Sequence, residues 1–485
     1  MKEMIYQTIC PGCGVGCGLF IRENDEGKLS IDHMKSSPVN LGKLCRFGMK
    51  LPHYYAKANN AENMVDGSAV DAETAIKAAV DILKDADTDS VALLSVGNTS
   101  NEEQMAFTKL AETLGTVVQT GVQKMCMPEP RTLAGIEKAK KIVLFVDPYV
   151  QYPLIVRRLL AAKQNGAHVI SVGTKPLNLA DETLDLKPEQ YGELELDSES
   201  LIIADVHPNS DAGMVSYVKA LAKGTGAGLQ FMKPFMNSNG AALLANKDGS
   251  RIGLAELMED IELGNIRTLV TLDSDPVELM PDAEAAIEAL KKLDKLIVIS
   301  SVKGPATGMA DVVIATDPVY SKAGTFLNVE DSLQKNSGTG KAGVDALSLL
   351  NAGIGGKTFT HDEMNYLVMK TIEASKDGPS GKMQCSGTDI AVSSTDIPED
   401  MYELRYLYNP FMWSDREDDN DFVLLNRNTV KKLGLKKGGC VNLKGEKGEL
   451  KMRFRVESIP DGLVLTAKKL SIAKGVSTAI SMEVC

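Results

Sequence analysis

Long hydrophobic runs are missing from this 485-residue chain: no apolar stretch reaches 18 residues, which excludes a membrane-spanning helix. Met1-Lys2-Glu3-Met4-Ile5-Tyr6 leads straight to cysteines with no apolar core of a secretory signal, so a cytoplasmic chain is expected. An excess of positive charge is missing too. Lys and Arg number 53 against 65 Asp and Glu, a net charge of −12 that speaks against a nucleic-acid or anionic-membrane surface, a local basic pocket apart. Aromatic residues make up only 5%, while glycines number 42, a use of glycine suited to many tight turns between short elements. What is present, 44% apolar and 24% charged residues, is a soluble globular composition. The length suggests about three domains.

The eight cysteines are Cys10, Cys13, Cys17, Cys45, Cys126, Cys385, Cys440 and Cys485. Half of them fall within the first 45 residues, and without an export signal they read as metal ligands before disulfides. Cys10-x2-Cys13-x3-Cys17 is interleaved with Pro11, Gly12, Gly14, Gly16 and Gly18, and Cys45 follows after 27 intervening residues. Glycines let a backbone turn tightly around a metal core with its N–H groups facing inward. Soft sulfur ligation selects zinc or an iron–sulfur cluster. Zinc knuckles pair two short Cys-x-Cys units, and the second pair is lacking here. Three close thiolates and one remote thiolate suit the corners of a [4Fe-4S] cubane, with structural zinc or plain thiols as the alternatives. The alternation of Leu19 and Ile21, then Leu29 and Ile31, predicts a hairpin that turns over residues 22–28 and returns the chain towards Cys45.

Beyond residue 60, strands and helices alternate. Ala72, Ala75, Ile76, Ala79, Val80 and Leu83 recur at helical spacing behind the cap Asp71. Residues 91–96 form a short apolar strand, and a helix capped by Ser100 or Asn101 runs to Leu114 with Gly115 as its stop. Strands are predicted over 141–146, 168–172, 201–204, 268–272, 296–300 and 311–315, and helices over 152–165, 213–223 and 284–292. This is the pattern of βαβ units on a mostly parallel sheet, whose ligands bind beyond the carboxyl ends of the strands. The loops at Gly97, Asp147, Gly173 and Asp273 are the places to look. From Asp421 the pattern becomes strand, turn and short strand, suggesting a barrel. The expected class is therefore α/β: an iron–sulfur domain over 1–60, a βαβ core in two lobes over 61–345, a loop-rich segment over 346–418, and a small β domain over 419–485.

The cysteine spacing resembles the iron–sulfur domain of molybdopterin-containing oxidoreductases, a family that includes formate dehydrogenase catalytic subunits, formylmethanofuran dehydrogenase and the large iron–sulfur subunit of respiratory complex I. Further motifs resemble the family in the same order: Asn101-Glu102-Glu103, Asn237-Ser238-Asn239-Gly240-Ala241, Gly324-Thr325-Phe326-Leu327-Asn328-Val329-Glu330, and a C-terminal unit similar to its molybdopterin-dinucleotide-binding barrel. The resemblance implies that Cys10, Cys13, Cys17 and Cys45 hold the cluster. It implies Arg46, Asn98, Asn101, Asn237, Asn239, Thr325 and Asn328 as contacts of a molybdopterin guanine dinucleotide carrying Mo or W, if one is bound. It also implies Cys126 as the catalytic metal ligand, although a cysteine between Met125 and Met127 reads first as a buried structural thiol, with a redox thiol as the remaining alternative.

Departures from the family pattern pull the other way. The chain is short, and Met127 stands where the resemblance expects a histidine. Phe47 replaces a lysine two residues after the fourth cysteine, and Gly173 replaces an aspartate after its strand. Two functions remain: an iron–sulfur electron-transfer subunit of a larger oxidoreductase, or a compact Mo/W enzyme acting on a one-carbon acid. Either implies partner subunits with further iron–sulfur clusters or a flavin.

Overall fold

The structure is a computed structural model, and it describes residues 4–58, 60–121, 132–173, 176–207, 212–245, 253–376, 397–398, 400–406, 422–466, 470–473 and 477–485. The chain forms two compact units. The first takes residues 1–124, 235–279 and 285–383, and the second takes 125–234, 280–284 and 384–485. This division cuts across the boundaries at 60, 345 and 418. The cysteine-rich segment belongs to the first unit, and the core over 61–345 is shared between both.

In the first unit, Met4–Ile9, Gly18–Glu23 and Leu29–His33 make an antiparallel sheet. The alternation puts Leu19 and Ile21 wholly inside, which sets the register Ile21↔Ile31. Asn24 Oδ1 accepts from Glu26 N and Lys28 N and closes the turn. The first of these strands joins a hairpin that the sequence alone predicted without it.

A seven-stranded sheet runs in the order Ser68–Ala69, Met64–Val65, Val312–Ala315, Lys295–Ser300, Thr268–Leu272, Val91–Leu94 and Val118–Gln119. The last five are parallel. Helices cover its strands, which explains why they read as continuous apolar runs rather than alternating ones. Helix Ala72–Asp85 is capped by Asp71, which accepts from Thr74 N at 2.7 Å. Helix Asn101–Leu114 has a complete capping box between Ser100 and Glu103 and stops at left-handed Gly115. Both packed as their periodicity required: Ala75, Leu83, Phe107 and Leu110 share one core with Leu93, Val270 and Ile297.

The segment from 346 is not the loop expected of it. Helices Ala342–Gly353 and His361–Lys376 occupy it as far as residue 376, and 377–396 lie outside the described residues. Val344, Leu347 and Leu350, then Met364, Val368 and Ile372, bury themselves in the same core. Glycines 353, 355 and 356 make the turn between two helices, which is why that stretch looked structureless.

In the second unit, five parallel strands lie in the order Glu182–Leu184, His168–Val172, Lys141–Leu144, Ser200–Asp205 and Gly228–Met232. The helix expected over 152–165 opens instead as a 3-10 turn, Pro153–Ile155, before Val156–Gln164. A closed barrel follows, ordered Tyr402–Tyr406, Leu463–Thr466, Phe422–Leu425, Gly448–Val456, Cys440–Gly445 and Ser477–Val484. The first of these strands comes from the supposed loop segment, because closure needs a strand to bridge Leu463–Thr466 and Ser477–Val484. Register also joins Cys440 to Cys485 in a disulfide. Val441 pairs with Val484, so the two sulfurs meet at the rim, a pairing the sequence reading did not foresee.

Candidate metal centre

The cysteine loop leaves the strand Met4–Ile9 and returns through Gly18–Glu23, with Cys10 N donating to Cys17 O at 2.8 Å. Its glycines are there for space. A Cβ on Gly12 would lie 2.4 Å from the Phe47 ring, and one on Gly16 would lie 2.4 Å from Gln334 Oε1 with φ at +68°. Gln334 Nε2 also donates to Gly16 O at 2.7 Å. Cys45 arrives on the other side, positioned by Asn40, whose amide bonds Gly18 N, Gly18 O and Lys43 O.

The other cysteines act on the two buried thiols. Burial first, and then the charges of the neighbouring cysteines, push the Cys10 and Cys17 thiols well above their ordinary range. Four such thiolates need compensating cations. Four cysteine sulfurs, three from one loop and one from a remote segment, fit the corners of an iron–sulfur cubane.

Aromatic side chains, scarce in the whole chain, collect here. The Phe47 ring lies tilted against Tyr54 at 5.9 Å, and Tyr55 lies 5.2 Å from Tyr54 and 4.9 Å from Tyr320. Burial raises the Tyr55 hydroxyl well above its usual value, and Tyr54, Cys10, Tyr320 and Asp273, the last at the end of the strand Thr268–Leu272, add to the rise.

At that strand end stands a buried ion group the sequence did not disclose. Lys322 Nζ lies 2.6 Å from Asp273 Oδ2 and 2.9 Å from Glu103 Oε2, with all three side chains 5% exposed or less. Burial alone would lower the Lys322 ammonium, but the two carboxylates outweigh it and hold it charged. Neighbouring Glu102 accepts from Thr325 N, Thr325 Oγ1 and Asn365 Nδ2 at 2.7–2.9 Å.

The expected pterin contacts are tied mostly to protein. Asn101 Nδ2 donates to Thr325 Oγ1 at 3.1 Å. Asn237 bridges Thr99 O and Leu327 N, each at 2.8 Å. Asn239 bonds Asp331 Oδ1, and Asn328 bonds Val15 O. Arg46 is exposed at the start of helix Arg46–Met49. Asn98 differs: its Oδ1 is buried without a hydrogen-bond partner in the loop after the strand Val91–Leu94. It is an acceptor that a pterin donor would satisfy. Gly97 before it has φ at +95°, and a Cβ there would stand 2.7 Å from the Asn237 backbone. Cys126 lies outside the described residues.

In the second unit the carboxyl ends of the strands hold Asp147, Gln151, Tyr152 and Asp205. Gln151 Nε2 and the Tyr152 hydroxyl both donate to Asp205, whose burial pushes its carboxyl up to about 7. Gly173, at φ +64°, offers its carbonyl to Arg405 Nη1 at 2.9 Å, so a barrel arginine reaches the loop after His168–Val172.

Comparison with known proteins follows the same lines. The profile of the Molybdopterin oxidoreductase Fe4S4 domain matches residues 3–56, and that of Molybdopterin oxidoreductase matches 70–346. The F420-dependent formate dehydrogenase 2 subunit alpha of Methanococcus maripaludis is 28% identical over 38% of this chain and 31% of its own length. The NADPH-Fe(3+) oxidoreductase subunit alpha of Geobacter sulfurreducens is 27% identical over 39% of this chain and 25% of its own. Each match therefore spans a third or less of the relative. Acetylene hydratase from Pelobacter acetylenicus superposes with a TM-score of 0.63 at 12% identity, covering 99% of this chain and 100% of that one, a likeness of fold. No helix among the described residues is long and apolar enough to cross a membrane.

Proposed function

The chain belongs to the molybdopterin oxidoreductase family and carries its Fe4S4 domain, and on that ground we propose that it is an iron–sulfur electron-transfer subunit of a larger oxidoreductase complex. The observation that carries this reading is Phe47. Many relatives place a lysine there, thought to link cluster and pterin; here a ring 3% exposed packs on Gly12 of the cysteine loop. An apolar plug in that position insulates the cluster from the pterin side. Arg405 at Gly173 supports the same reading, since the loop that would meet a nucleotide is braced by the protein itself. Both relatives above are named as alpha subunits, which fits a chain that works with redox partners.

A compact Mo/W enzyme of formate dehydrogenase or formylmethanofuran dehydrogenase type is the second reading. The unpartnered Asn98 Oδ1 favours it, and Cys126 would be its metal ligand. Elemental and pterin analysis of the anaerobically purified chain separates the two. About four iron and four sulfide per chain, without Mo, W or pterin, is the expected result. Two pterins per chain would reverse the order of the readings.

A further inference from the structure

The four ligand cysteines are not equally deep. Cys10 and Cys17 are buried, and Cys13 and Cys45 are half-buried, so a cluster there comes nearest to solvent on the Cys13–Cys45 side. The two halves of that side differ in charge. By Cys13, Val329 N donates to Gly14 O at 2.8 Å and brings the turn bearing Glu330 and Asp331 alongside. The sequence on either side of Cys45 carries cations only. Residues 33–61 contain Lys35, Lys43, Arg46, Lys50 and Lys57 and no Asp or Glu, in a chain of net charge −12.

Folding gathers these cations. Lys35, Lys43 and Arg46 are exposed. A Cβ on Gly42 would touch Lys35 Cα at 3.2 Å, and His33 Nδ1 lies 2.7 Å from Gly42 O, so Lys35 and Lys43 sit at the same turn. Two large apolar side chains open onto the same segment, Leu41 at 51% and Met49 at 49% exposure. Leu41 holds φ at +49°, a conformation that costs a non-glycine residue and persists only when its surroundings impose it. Exposed apolar residues with a charged rim are the makings of a recognition patch, and the rim sets the sign of the partner.

We propose that the surface formed by Lys35, Leu41, Lys43, Arg46 and Met49 docks an acidic protein carrying a one-electron iron–sulfur or flavin centre. The inference rests on the electron-transfer reading above. In the exchange one electron passes between the carrier's reduced centre and the oxidised cluster; no bond forms or breaks and no atom moves between the partners.

The test uses the cluster-loaded full chain, a reduced acidic [2Fe-2S] ferredoxin as protein donor, and a reduced neutral flavin as small donor, followed by stopped-flow bleaching of the cluster. With ferredoxin, the second-order rate should fall roughly tenfold as ionic strength rises from about 0.01 to about 0.15 M. Lys35→Glu with Lys43→Glu should lower it by roughly tenfold at low salt and leave the flavin rate unchanged. Lys77→Glu with Lys84→Glu, two exposed sites on helix Ala72–Asp85 with the same change of charge, should leave both rates as they were. Hydrogen exchange with oxidised ferredoxin should show protection over 35–50, a readout independent of turnover. Equal effects of the two double variants, or protection elsewhere, would overturn the docking surface. Protection of 35–50 in the concentrated chain alone would make it a self-contact and overturn it too. If flavin reduces the cluster while the ferredoxin rate ignores charge, only this surface falls. If neither donor reduces it, the electron-transfer reading falls and the surface with it.

Discussion

Single residues here carry charges that only their neighbours make tolerable. The cysteine loop is the clearest case: burial and the charges of the other cysteines raise the proton affinity of Cys10 and Cys17, so their thiolates need a compensating cation. Cys13→Ser should lose the broad iron–sulfur absorbance or leave a cluster short of iron, as visible spectra and iron content will record. An unchanged spectrum would sink the ligand assignment. Lys322 is a second case. Removing one member of a buried ion group leaves the others uncompensated, at about 3–5 kcal/mol. Lys322→Met should lower the urea midpoint accordingly, and adding Glu103→Gln and Asp273→Asn should recover part of the loss. Asp205 works in the opposite direction. Its carboxyl is raised to about 7 from an ordinary 3.8, so the folded state holds a proton that the unfolded chain has released between those values. Stability from this group is full below about 4 and is lost as pH climbs through 7, at up to ~1.4 kcal/mol per unit. Denaturation of the second unit followed from pH 5 to 8 should slope downward, and Asp205→Asn should flatten the slope. A slope untouched by that change would assign the pH dependence elsewhere.

Elements are tied together by backbone close approaches as much as by apolar packing. Gly324 in the strand Ala323–Leu327 has φ at +151°, and a Cβ there would stand 2.6 Å from Ser100 Cβ and 2.8 Å from Glu102 Oε2. The strand reaches the start of helix Asn101–Leu114 only because that side chain is missing. Gly115, at the other end of the same helix, has φ at +73° and open space around it. Gly115→Ala should therefore cost only the left-handed penalty of about 1–2 kcal/mol. Gly324→Ala should cost more, by a further ~1–3 kcal/mol of forced displacement. Thermal unfolding of the two variants side by side decides it; equal losses would mean that the strand can retreat without consequence.

At the scale of the whole molecule, chain order and spatial order part company. The first unit is assembled from three stretches of sequence and the second from three others. Segments far apart must meet before either is complete, an arrangement in which long-range closure weighs on folding. The barrel is the sharpest example. Its strand Tyr402–Tyr406 pairs with Leu463–Thr466 and Ser477–Val484, and the disulfide Cys440–Cys485 closes 45 residues of chain at its rim. Closing a loop of that length can stabilise by up to ~4 kcal/mol in the chain-entropy view. Mild reduction should lower the barrel's denaturation midpoint, and Cys485→Ser should match the reduced protein; no difference on reduction would show that the strand ladder alone holds the rim.

The sequence by itself determined what depends on near neighbours. Spacing and interleaved glycine identified the cysteine loop, because cluster ligation is largely a local geometry. Helical and strand periods placed Ala72–Asp85, Asn101–Leu114 and most parallel strands, because each carries its own cap or apolar run. Tertiary structure decided what depends on residues hundreds of positions apart. The Lys322–Glu103–Asp273 group joins side chains from three distant elements, and no spacing announces it. Asn237 and Thr325 carry hydrogen bonds to the Thr99 carbonyl, the strand Ala323–Leu327 and the helix Asn101–Leu114, partners that only the packing supplies. The helices after residue 342 were hidden by the glycines between them, and the strand Tyr402–Tyr406 by its lack of a local partner. A strand is stabilised by the neighbour it pairs with, and here that neighbour lies some sixty residues on.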